Sequence, residues 1–148
     1  MKRIICILFL VVGFSNAMAQ IAPYSLVGAK KVSSEVVQLQ INVFCNNKRQ
    51  IFSEAQCAAI RIALFDGVGI PPYTKPLLSD GEQTMNQTYP DYFNNLLYSR
   101  YSDFIGSCTA ISKFKKSDNK STLFVVNLKI LLLRKDLEKN NIKRQIGY

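Results

Sequence analysis

Across AQCAAIRIALF at 55–65, only Gln56 and Arg61 are polar. A helix of that composition is apolar round almost its whole circumference, so it needs cover on more than one side. This single demand excludes a peripheral helix and calls for a fold that wraps the segment. Ser53 followed by Gln56 three residues later predicts a capping-box start, in which each side chain serves the other's free backbone amide. Gly67 predicts the stop, because glycine enters the left-handed region without steric cost. The expected helix runs over 54–65, with Cys57 near its beginning.

The neighbouring segments supply the cover. VVQLQINVFC at 36–45 alternates, with Val37, Leu39, Ile41, Val43 and Cys45 on one side and Gln38, Gln40 and Asn42 on the other, which predicts a half-buried strand. Residues 20–34 lack such a pattern, and no element is assigned to them. The stretch 68–88 holds Gly69, Pro71, Pro72, Pro76 and Gly81 and reads as one long loop, a feature that is often functional. Pro90 and Asp91 open a second helix with Phe93, Leu96, Leu97, Tyr101, Phe104 and Ile105 as its apolar stripe, ended by Gly106. CTAISKFKK and STLFVVNLK, separated by SDN, predict a hairpin. Its lysines, Lys113, Lys115, Lys116 and Lys120, discourage edge-to-edge pairing with other chains. Ile130, Leu133 and Leu137, with Arg134 one turn before Glu138, predict a third helix ending near Asn140.

The predicted order is therefore βααββα. The expected class is α+β, an antiparallel sheet of about three strands with helices packed on one face.

The first residues bear on location. Lys2 and Arg3 precede an apolar run at 4–14 and the small-residue ending Ala17-Met18-Ala19, the three-part plan of a secretory signal peptide cleaved after Ala19. Residues 1–19 are read as that signal and 20–148 as a single α+β domain, exported to the periplasm or beyond. The apolar run is about half the ~20 residues that span a bilayer, and 123–133 is interrupted by Asn127 and Lys129, so no transmembrane segment is expected after cleavage.

Composition narrows the chemistry. The chain has no histidine, which excludes histidine-based acid-base or triad catalysis, and it has no CxxC pair, which removes the common zinc spacings. No metal and no cofactor are implied, and no catalytic residue is assigned. Three cysteines, Cys45, Cys57 and Cys108, remain after the signal. The simplest arithmetic in an oxidising compartment is one disulfide plus one thiol, with Cys57 and Cys108 as the candidate pair and Cys45 as the alternative member. The formal charge of +9 is spread over short groups and contains no run of five, so it reads as a solvated surface that could meet an acidic polymer.

Three stretches, AAIRIALFDGVGIPPYTKPLL at 58–78, YFNNLLYSRYSDFI at 92–105 and LRKDLEKNNIKRQIG at 133–147, resemble small exported α+β proteins of Bacteroides-type bacteria. They are more loosely similar to helix-on-sheet lipoprotein and flagellar envelope modules. The resemblance implies an envelope or exported location and no particular activity. The element order also resembles KH-type RNA-binding domains, but the place of their GXXG loop reads DGVGIPP here. Nucleic acid is therefore not an expected partner.

Tyrosines crowd the loop and second helix, and Tyr73, Tyr89 and Tyr98 are the candidate partner surface, since a tyrosine offers a flat apolar face with a polar tip. Asp66, Asp80, Glu82 and Asp91 are the carboxylates in and around the loop. The expected function is that of a non-enzymatic exported binding or envelope-associated accessory protein with a protein or glycan partner. A carboxylate-dependent hydrolase of envelope or extracellular polymers and a basic surface for acidic polymer are the competing expectations.

Overall fold

The structure, a computed structural model, describes residues 21–114 and 121–143. Its centre is the apolar block, which forms helix α1 (Ile51–Arg61) and continues as a π-helical turn over Ile62–Asp66. The helix begins earlier than the capping box predicts. Gln50 is the flanking residue, and Ser53 lies inside the first turn with its Oγ donating to the Gln50 carbonyl at 2.7 Å. Burial decides the start: Ile51 is 2% exposed, so the turn that carries it into the core is worth more than a side-chain cap.

The sheet has four antiparallel strands in the order β1-β2-β4-β3: β1 (Tyr24–Lys31), β2 (Val37–Val43), β3 (Ile105–Ala110) and β4 (Thr122–Leu128). Val37, Leu39, Ile41 and Val43 of β2 lie opposite Leu128, Val126, Phe124 and Thr122 of β4, and all eight are buried. Period-2 alternation thus puts one face of the sheet into the core and leaves the other polar. On that polar face Gln38 Nε2 donates to Asn127 Oδ1 at 3.0 Å and Asn127 Nδ2 donates to Ser107 Oγ at 2.9 Å, a row that crosses three strands.

The class is α+β as expected, but the sheet has a fourth strand, β1, in the segment left without an element. Its register shifts between Leu26 and Gly28, so Val27 interrupts the alternation that a reading of the sequence relies on.

Cover for the other side of α1 comes from three further helices, α2 (Glu82–Thr88), α3 (Pro90–Tyr98) and α4 (Ile130–Lys139). The observed order is ββαααββα. Phe93, Leu96 and Leu97 of α3 are buried, and Phe93 lies 6.0 Å from Phe65. α3 ends at Tyr98, where the Ser99 and Arg100 amides both fold back to the Asn95 carbonyl. A short 3₁₀ turn (Tyr101–Phe104) follows, so Gly106 is not a helix stop: it sits in β3 at a register shift, where the chain must pair with β4. In α4, Ile130, Leu133 and Leu137 are fully buried and Arg134 Nε reaches Glu138 Oε1 at 2.9 Å, as the spacing predicts. α4 is tied back by Asp136, which accepts from Tyr92 Oη at 2.8 Å and Arg100 Nη2 at 2.7 Å. Lys113 is exposed, and Lys115, Lys116 and Lys120 lie outside the described residues.

The stretch 68–88 is not a free loop. Its second part is α2, with Met85 buried, and its middle is pinned to the end of α1. The wide π turn closes with the Gly67 amide on the Ile62 carbonyl, and the carbonyls of Ala63 and Leu64 accept from Leu77 N at 2.9 Å and Leu78 N at 3.0 Å. Helix-end carbonyls need such partners, so the loop completes the helix. Both leucines are buried. No described helix is long and apolar enough to cross a membrane.

Gly67 makes this docking possible. Its φ is +87°, and a Cβ there would stand 2.9 Å from the Thr74 carbonyl oxygen and 3.1 Å from backbone atoms of Lys75 and Pro76. We predict that Gly67→Ala costs about 2 kcal/mol or more, from the left-handed backbone and the collision together. Denaturant unfolding should read it as a lowered midpoint, whereas Gly81→Ala, with no atom within 4 Å of the added Cβ, should leave the midpoint nearly unchanged.

Candidate functional site

Residues 54, 57 and 61 share one face of α1, because spacings of three, four and seven return to the same side of a helix. On this molecule they are Glu54, Cys57 and Arg61, and with Ser53 they form one wall of a cavity of about 180 Å³. Leu97 and Tyr98 from the end of α3, Tyr101 from the 3₁₀ turn and Ile21 form the rest. The lining mixes apolar surface with one cation, one carboxylate and one thiol.

Arg61 dominates the wall. It is 5% exposed, and its Nε donates to Glu82 Oε1 at 2.9 Å, which binds the first turn of α2 to α1. Burying a guanidinium without a partner is prohibitive, and Glu82 supplies that partner. The two Nη groups make no hydrogen bond to any described residue. Yet among the described residues no fully buried side-chain nitrogen or oxygen lacks a partner. The remaining donors of Arg61 are therefore not fully enclosed, and the residue is part of the cavity wall.

The nearby groups are held neutral or engaged. Cys57 Sγ donates to the Leu97 carbonyl at 3.2 Å. Burial pushes its thiol up to about 11; Arg61 opposes the shift and Glu54 adds to it. Glu54 Oε2 accepts from the Ala22 amide at 3.4 Å, closing the cavity towards β1. On the other side of Arg61, Tyr24 Oη donates to Asp66 Oδ2 at 3.4 Å, and burial, with the carboxylates of Asp66 and Glu82, raises the Tyr24 hydroxyl well above its ordinary value against the pull of Arg61.

The structure distributes the residues that the sequence singles out. Tyr98 is 57% exposed at the lip of the cavity. Tyr89 sits between α2 and α3, in a separate depression with Pro90, Asp91 and Ile142. Tyr73 is fixed in a tight turn, where its carbonyl accepts from the Val68 and Gly69 amides. The loop that carries Tyr73 is folded against the end of α1, and the three tyrosines have different immediate surroundings. Cys45, Cys57 and Cys108 are all free thiols. Burial raises Cys108 to about 11 as well. Of the acidic residues, Glu82 is held by Arg61 and Asp66 by Tyr24, while Asp80 and Asp91 line two other depressions singly.

Arg61 and Tyr24 were not legible as site residues. The one signal was the presence of a single cation inside an otherwise apolar helix. Among the described residues no group of three or more Cys, Asp or Glu side chains could hold a metal ion. Comparison with protein-family models, curated proteins and solved structures gives no match.

The raised thiols set a pH dependence. The folded Cys57 and Cys108 thiols hold their protons to about pH 11, whereas the ordinary value is 9.0, so the unfolded chain loses these protons first and stability falls as pH rises from about 9 to 11. Thermal melts across that window should show the decline, and Cys57→Ala should make it shallower. Labelling of Cys57 and Cys108 in the native chain should stay slow at pH 7.5 and accelerate through the same range, since the thiolate is the reactive form. Rapid labelling of Cys57 at neutral pH would show that its burial is not maintained in solution.

Proposed function

We propose that this chain is an exported, non-enzymatic binding protein whose ligand site is the cavity on α1, and that Arg61 receives a carboxylate of the ligand. The observation that carries the reading is a guanidinium buried to 5% exposure on a cavity wall, with one donor fixed by Glu82 and both Nη groups without a described partner. A guanidinium fork matches a carboxylate in two parallel hydrogen bonds, and such bonds are shorter and stronger than neutral ones. Because Nε is engaged, the fork offered is that of Nη1 and Nη2. Leu97, Ile21 and the rings of Tyr98 and Tyr101 suit a small apolar body attached to the acid.

Glu54 on the same wall narrows the choice. Its charge disfavours ligands with two or more negative charges, so a monocarboxylate is preferred over a phosphate. Export rests on the leader-like pattern of residues 1–19. What supports binding over hydrolysis is the placement of the acids. Among the described residues, the depressions lined by Glu54, Asp80 and Asp91 each have that one carboxylate in their lining, whereas glycoside hydrolysis by carboxylates needs two facing each other.

The test is an NMR titration with sodium benzoate, with benzyl alcohol as the uncharged comparison. Benzoate should shift the amides of 53–61 and 97–101 saturably, and benzyl alcohol should bind at least tenfold more weakly. Arg61→Lys keeps a cation beside Glu82 but loses the fork, and we predict a tenfold or greater loss of benzoate affinity, a step of about 1.4 kcal/mol. Tyr98→Ala, at an exposed position, should weaken binding less. Equal binding of benzoate by the folded Arg61→Lys protein would overturn the assignment.

A further inference from the structure

One end of the molecule combines exposed apolar side chains with cations. The pairings of Tyr24 with Val43, Val43 with Thr122 and Phe124 with Ala110 bring one end of all four strands together. The chain leaves this end through 44–50 and re-enters as α1, so Phe44 and Phe52 both belong to it. Phe52 meets Phe124 edge-on at 5.1 Å yet is 46% exposed; Phe44 is 37% exposed and Ile111, just past β3, 59%. Phe114 lines a broad depression there with Lys48 and Arg49.

Large apolar side chains are costly to leave in water, and single ones are ordinary, but several at one tip are not. On the described stretches that carry them the charges have one sign. The described stretches 43–53, 110–114 and 121–124 contain Lys48, Arg49 and Lys113, all exposed, and no carboxylate. The nearest acid along α1, Glu54, lines the cavity with Cys57 and Arg61 and accepts the Ala22 amide.

We propose that this tip docks on an anionic lipid bilayer, with Phe44, Phe52 and Ile111 entering the interfacial layer and Lys48, Arg49 and Lys113 facing the head groups. The physical case is the pairing of two terms. Basic residues near an anionic leaflet gain from its surface potential, and aromatic and aliphatic side chains gain by leaving water at the boundary with the acyl chains. An acidic polymer in solution would satisfy the cations alone and leave the apolar side chains in water. The exposed apolar residues therefore select the membrane over the polymer. Attachment of this kind needs no spanning helix, and it leaves the cavity lining on α1 separate from the cations of the tip.

The test uses the form beginning at Gln20, since the apolar run at 4–14 would itself enter vesicles, and the core residues among the described ones all lie beyond that point. Vesicles of phosphatidylglycerol with phosphatidylcholine are compared with pure phosphatidylcholine by co-sedimentation. We expect at least tenfold tighter association with the anionic vesicles and a marked weakening between 0.1 and 0.5 M salt, on the order of the loss that screening predicts. Lys48→Glu with Arg49→Glu should lose association tenfold or more, and Ile111→Ser should weaken it severalfold. Since the chain has no tryptophan, Ile111→Trp supplies a local reporter whose emission should shift to the blue with anionic vesicles only. Equal association with both vesicle types would overturn the proposal. So would association that is abolished by the charge reversal while indifferent to Ile111→Ser and without a blue shift, because that pattern belongs to a purely electrostatic, polymer-binding surface.

Discussion

Helix α1 is clasped between two aromatic contacts, Phe52 edge-on to Phe124 of the sheet and Phe65 beside Phe93 of α3. A helix that presents Ala55, Ala58, Ala59, Ile60, Ile62, Ala63 and Leu64 to the core has little to spare for solvent: Phe52 is exposed at its start, and Ser53, Glu54 and Gln56 are half-buried. The architecture follows from covering it. β2 and β4 supply one layer, α3 and the 3₁₀ turn another, and the segment around Leu77 and Leu78 seals the far end. The alanines let the neighbouring elements approach closely, and removing bulk from the partners would leave cavities that a close-packed core cannot fill cheaply.

The π turn gives this packing its particular form. The helix ends in the wide turn at Ile62–Asp66, and the Ala63 and Leu64 carbonyls of this last turn take amides from outside the helix as partners. The chain's own next segment supplies them. Gly67 turns the backbone, Thr74 to Pro76 pass close beneath it, and Leu77 and Leu78 donate. Prolines and glycines at 67–81 read from sequence as freedom, but here they are the residues that permit a tight return path. α2 then begins where Glu82 can meet Arg61.

The same reasoning explains what was legible. Elements with strict periodicity, β2, β4, α3 and α4, were visible because burial acts on alternate or every third and fourth side chain. β1 was not, because its bulge at Val27 shifts the register by one residue and breaks the alternation that would have marked it. The α1 boundary was misplaced because Ser53 and Gln56 match a capping pattern, while the position of Ile51 in the core is a tertiary fact. Composition clustered Tyr73, Tyr89 and Tyr98 in one stretch of chain, while their surroundings differ: Tyr98 lines the α1 cavity, Tyr89 another depression, and Tyr73 a tight turn. The α1 cavity is a long-range product, assembled from positions as far apart as Ile21 and Tyr101.

Cys57 and Arg61 lie one turn apart on the same wall, and burial acts on them in opposite ways. A thiol can answer desolvation by keeping its proton, and Cys57 does, with its S–H turned to the Leu97 carbonyl; its chemistry is thereby suppressed. A guanidinium is a cation with donors and no acceptor, so Arg61 needs acceptors wherever the fold puts it. It is stabilised by Glu82 through one edge and is left with donors on the other. The cysteine on this wall is the residue that burial makes inert. The residue that looks like an isolated blemish in an apolar helix keeps both its charge and its directional donors, and this asymmetry is the ground on which Arg61, and not Cys57, is proposed to receive a ligand.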